Sequence, residues 1–99
     1  MKIKIGPMKY EVRTTDRLNN SDSSIQLGEI NYHDQFILMR PSLTKMQQRH
    51  TLIHECVHGI LANAGVLEHS EALIEIISYG FLDLMRRNPK LIAFLLEKD

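Results

Sequence analysis

The chain has 99 residues, 43% of them hydrophobic, and its 12 basic and 12 acidic side chains leave a formal charge of zero. That length holds one domain around a single core, here residues 1–99, and a neutral chain without a basic stripe excludes nucleic-acid binding as its main business. One cysteine (Cys56) excludes an internal disulfide, and no apolar run nears the ~18 residues of a membrane span, so a soluble, cytoplasmic protein is expected.

Met1–Ile5 has no signal-peptide character; Ile3 and Ile5 alternate with lysines instead. Gly6-Pro7 punctuates that run, and Met8, Tyr10 and Val12 then alternate with charged residues. Two short strands follow from this, each with one face buried. Asn19 to Ser24 is a polar loop. Ile25 to Tyr32 and Gln35 to Arg40 read as two further strands joined at His33-Asp34 as a hairpin. Pro41-Ser42 ends the sheet region.

Thr44 with Gln47 three residues on forms a capping box, and Asn63-Ala64-Gly65 closes the helix that it opens. Met46, His50, Ile53, Val57, Ile60, Leu61 and Ala64 step with helical period, predicting a buried face. Ser70 caps a second helix running to about Arg87. Its many apolar residues, Leu73, Ile76, Phe81 and Leu84 among them, predict burial on more than one side. Arg86 and Arg87 suit the helix end, where cations are favoured. Pro89 opens a short last helix whose packing face is Leu91, Phe94 and Leu95.

The first helix carries His54-Glu55-Cys56-Val57-His58, the H-E-x-x-H pattern. Residues four apart lie one above the other, so His54 and His58 offer two imidazole nitrogens to one metal ion. Glu55 lies about 100° round the helix, near enough to serve a water on that ion as general base. Cys56 points away from this edge and is expected to pack in the core. His50, one turn earlier, is too far along the axis for the same ion and reads as cleft lining.

A hydrolytic zinc site takes three protein ligands and one water. The positions that hold a third histidine in the longer H-E-x-x-H-x-x-G-x-x-H pattern are Leu61 and Ala64, so a carboxylate from the second helix is required. Glu68, Glu71, Glu75 and Asp83 are the candidates. Counting ~1.5 Å of rise per residue from Ser70 along an antiparallel helix favours Glu75. Glu71 remains the alternative, or an outer partner that orients a ligating histidine. Tyr79, one turn above Glu75, is either an oxyanion donor or a packed tyrosine.

These motifs resemble the zincin metallopeptidases, in the gluzincin-like arrangement with a glutamate third ligand. Glu75-Ile76-Ile77-Ser78 is similar to that family's E-x-x-S element. Size and layout are closest to the minimal ImmA/IrrE-like and SprT-like zincins of bacteria and phages. The resemblance implies an α+β fold: a short antiparallel sheet of three or four strands on the active-site helix, one edge facing the cleft. It also implies Zn2+ on His54, His58 and Glu75, Glu55 as base, and a protein or peptide substrate. The acid that gluzincins place four residues after the third ligand is Tyr79 on this alignment, a departure from the pattern. A non-catalytic module that keeps the fold and docks a partner is the alternative, and a closed structural zinc site is a third reading.

Overall fold

In the computed structural model, which describes residues 1–18 and 27–99, four strands precede three helices. The strands are β1 (Lys2–Ile5), β2 (Met8–Thr14), β3 (Gly28–Asn31) and β4 (Phe36–Met39), and the helices are α1 (Lys45–Asn63), α2 (Glu71–Arg87) and α3 (Pro89–Leu96). The expected loop at Asn19–Ser24 and the start of the strand predicted from Ile25 lie outside the described residues.

The fold is α+β, with one sheet in the order β1-β2-β4-β3. β1 and β2 form an antiparallel pair, as do β3 and β4, but β2 and β4 run parallel. The expectation of a purely antiparallel sheet is therefore corrected to a mixed one. After β2 the chain crosses to the far edge, lays down β3, and returns through the four-residue turn 32–35. That tight return makes β4 antiparallel to β3 and slots it beside β2 in the same direction. β3 is left as an edge strand.

The core lies between the sheet and α1. Ile5, Tyr10 and Ile37 form its centre, with Ile30, Leu52 and Cys56 packed against it. Burial raises the Cys56 thiol pKa, and the Glu55 charge adds to the effect, as expected for an unreactive packed cysteine. α1 touches β1, β3 and β4 on one side and α2 on the other, while α2 touches only α1 and α3 among the elements. The layers are therefore sheet, α1, α2.

Local chemistry sets the helix ends. The Thr44 side chain accepts from the Gln47 N–H at 3.2 Å, and the Gln47 side chain accepts from the Thr44 N–H at 2.9 Å. Gly65, at φ +84°, turns the chain out of α1. The Val66 N–H donates to the Leu61 carbonyl and the Gly65 N–H to the Ala62 carbonyl, the two bonds of a Schellman ending. The Ser70 hydroxyl caps α2 at the Leu73 N–H, and Pro89 opens α3.

Two burial expectations need correction. On α1 the buried residues are Thr51, Glu55, Val57 and Gly59, whereas Met46 and Ile60 are exposed. The sheet covers the Thr51–Glu55–Gly59 edge and α2 the histidine edge, while Met46 and Ile60 lie on the side of the helix that faces neither. On α2 only Ile74 and Ser78 are buried, and α3 buries nothing. Among the described residues no further element packs on those two helices.

Candidate metal centre

α1 places His50, His54 and His58 at successive turns of the edge facing α2. The Nε2 atoms of His54 and His58 lie 3.2 Å apart. Glu71, in the first turn of α2, sets its carboxylate astride this pair, with Oε2 3.3 Å from His54 Nε2 and Oε1 3.2 Å from His58 Nε2. These three residues form a group whose ligating atoms lie close enough to hold one metal ion.

Glu75 also reaches the cluster, one turn further along. Its Oε1 contacts His54 at Nδ1, the nitrogen on the other side of the ring, and its Oε2 lies 3.7 Å from His50 Nε2. His50, His54 and Glu75 make a second group of metal-capable geometry. The structure thus brings both motif histidines together with Glu71, and it joins Glu75 to His54 and His50. Of the remaining acids, Asp83 is engaged with Arg87 at 2.7 Å, and Glu68 is exposed in neither group.

Helix counting placed the carboxylates one turn too low because it began the return journey at Ser70. The connection after Gly65 has already climbed beside α1. His69, its penultimate residue before α2, meets His58 with Nε2 2.7 Å from His58 Nδ1. Glu71 therefore starts level with the motif. Neither His69 nor its contact was legible in the sequence, since a turn histidine carries no periodic signal.

Each motif histidine now has a partner on the nitrogen that points away from Glu71. The Glu75 carboxylate accepts from His54 Nδ1–H, which leaves His54 Nε2 as the free lone pair. His69 Nε2 can accept from His58 Nδ1–H with the same consequence. Burial holds the pKa of His58 below its ordinary value, with the neighbouring Glu71 charge opposing the shift. His50 is lowered too, again chiefly by burial. Neutral imidazole is the form that binds a metal.

Glu55 is 7% exposed. Loss of water is the main reason its pKa rises, reinforced by the charges of Glu71 and Glu29, and the value is pushed up to about 7. Gly28 of β3 lets the edge strand press on α1 at this point: a side chain there would collide with Thr51 and touch the Glu55 stem. Tyr32, just past β3, has its hydroxyl pKa raised first by burial and then by the charges of Glu55, Tyr10 and Glu71. It stays protonated, a donor within the field of the site. Tyr79 instead stacks on His50, ring centroids 3.6 Å apart. Ser78 donates to the Ile74 carbonyl at 2.7 Å inside α2 and serves packing.

These groups border an open cleft of about 660 Å3. One wall is β3, from Gly28 to Ile30, and the floor is His54, Glu55 and His58; the other wall is Glu71, Glu75 and Tyr79. Leu27 accepts from the Arg40 N–H at 3.2 Å, so Leu27 and Glu29 turn their backbone towards β4. By alternation Gly28 and Ile30 present theirs to the side of β3 that no described strand pairs with. No helix is long and apolar enough to cross a membrane among the described residues. No protein-family model, curated protein or solved structure matches this chain.

Proposed function

We propose that the chain is a zinc-dependent peptidase acting on a protein or peptide substrate, with zinc held by His54, His58 and Glu71. The residues fit that ion: two ligands on a tetrahedral zinc with bonds of about 2.0–2.1 Å stand about 3.3 Å apart, close to the separations of 3.2 and 3.3 Å found here. With Glu71 as the oxygen ligand, the position four residues on is Glu75, an acid as in the gluzincin pattern, and it orients His54. Zinc, when bound, supplies a Lewis acid that polarises a carbonyl and lowers the pKa of water towards ~7.

Glu55 carries the reading. A carboxyl buried beside the ligands and poised near neutrality takes a proton from an attacking water and returns it to the leaving amine. The backbone groups of Gly28 and Ile30, turned away from β4, pair with an extended peptide, laying it along the β3 edge above Glu55. Tyr32 keeps its O–H and donates it to the developing oxyanion. A docking module that retained the ion without catalysis would leave the burial of Glu55 without a purpose.

The test is cleavage of a mixed peptide pool by zinc-loaded protein, read by mass spectrometry beside Glu55→Gln. Both should bind one zinc, and only the wild type should cut. A zinc-loaded wild type that cuts nothing, or a variant that cuts equally well, would overturn the assignment in favour of the docking module.

A further inference from the structure

We propose that the outer face of α2, continued by α3, is the interface of a two-fold dimer of this chain. α2 turns Glu71, Ile74, Glu75 and Ser78 towards α1 and the cleft. Its opposite side carries Leu73, Ile76, Gly80 and Leu84 at steps of three, four and four, a helical stripe of its own. Among the described elements α2 touches only α1 and α3, and the stripe residues Leu73, Ile76 and Leu84 remain 50%, 69% and 44% exposed.

The two helices leave enough apolar surface exposed to supply an interface. Leu73, Ile76, Phe81 and Leu84 on α2 and Leu91, Phe94, Leu95 and Leu96 on α3 are each between 38% and 75% exposed. At roughly 200 Å2 for a whole side chain of this kind, they leave on the order of 900 Å2 of mainly apolar surface in water, distributed over both helices and not all on one face. The largest patch on an ordinary monomer is about 300–600 Å2, and a stable dimer buries about 800 Å2 per partner. The shape agrees: the radius of gyration is 14.2 Å, with extents of 45 × 28 × 27 Å, against roughly 13 Å for a compact domain of this size.

The pattern fits a second copy rather than a different chain because it is self-complementary. A two-fold axis through Gly80 sets two α2 helices antiparallel and places Ile76 against Leu84 of the second copy, twice over. A side chain added at Gly80 would meet nothing within 4 Å, so the helix backbone is bare at the crossing point and another helix can approach closely. The ion pair of Asp83 and Arg87 borders the stripe, and the chain's zero formal charge leaves no net repulsion between copies. The two clefts face away from the interface. This inference stands independently of the metal.

Sedimentation equilibrium of the full chain at about 100 μM, above the range in which standard-size interfaces dissociate, should report twice the 11.5 kDa chain mass. Ile76→Glu and Leu84→Glu, both at exposed positions, should each raise the dissociation constant by roughly 100-fold or more through burial of an unpaired charge. Circular dichroism should show both variants folded. Ile60→Glu, exposed on α1 away from the stripe, should leave the dimer intact. A wild type that stays at 11.5 kDa at this concentration overturns the proposal. A dimer that survives both α2 substitutions, or that Ile60→Glu dissociates while they do not, overturns it as well.

Discussion

Replacing Glu55 by glutamine should make the metal-free protein more stable. Folding moves the Glu55 pKa from 4.5 to about 7. The fold therefore prefers the protonated acid, and its contribution to stability is fully present below pH 4.5 and lost as pH rises through about 7. The difference of two to three pKa units corresponds to about 3 kcal/mol at pH 8, by linkage. Glutamine keeps the shape and never ionises, so the variant escapes this loss. For a domain of this size the gain appears as roughly 10–20 °C in melting temperature. Urea denaturation of chelator-treated protein from pH 4 to pH 8 measures it: the two curves should nearly coincide at pH 4 and separate progressively towards pH 8, with the variant above. A variant less stable than wild type at pH 8, or a gap independent of pH, would refute the reasoning. Such a penalty is what a functional base in a dry site is expected to carry.

Further outcomes follow from the ligand geometry. Glu71→Ala should weaken zinc binding by roughly 1,000-fold or more in chelator competition, whereas Glu75→Gln, acting through His54 Nδ1, should weaken it by about 10–100-fold. The reverse order would exchange their roles. His69→Ala should also lower zinc affinity by about 10–100-fold through His58, with circular dichroism unchanged. Tyr32→Phe should lower kcat by roughly 100-fold with KM little altered, as for loss of one oxyanion donor; a change confined to KM would assign Tyr32 to substrate binding instead.

Local signals carried the helices and half of the site. Thr44 with Gln47, Gly65, Ser70 and Pro89 act within a turn or two of chain, so their positions in the sequence are their positions in the fold. The convergence of His54 and His58 is likewise helical arithmetic. What lay outside the sequence depended on paths between elements. Glu71 faces the two Nε2 atoms because the connection from Val66 to Ser70 climbs beside α1, and His69 meets His58 for the same reason. The parallel pairing of β2 with β4 depends on a crossover whose destination no local motif encodes. Apolar residues such as Ile76 and Phe94, expected to be buried, are exposed, because periodicity marks an apolar face and does not say what covers it.

The central claim is that His54 and His58, joined by Glu71, hold zinc beside Glu55. Diffraction from zinc-loaded crystals at the zinc absorption edge tests it most directly. One anomalous peak should lie about 2.0–2.2 Å from both Nε2 atoms and a Glu71 carboxylate oxygen. A peak among His50, His54 Nδ1 and Glu75 instead, or no peak from protein saturated with zinc, would contradict it.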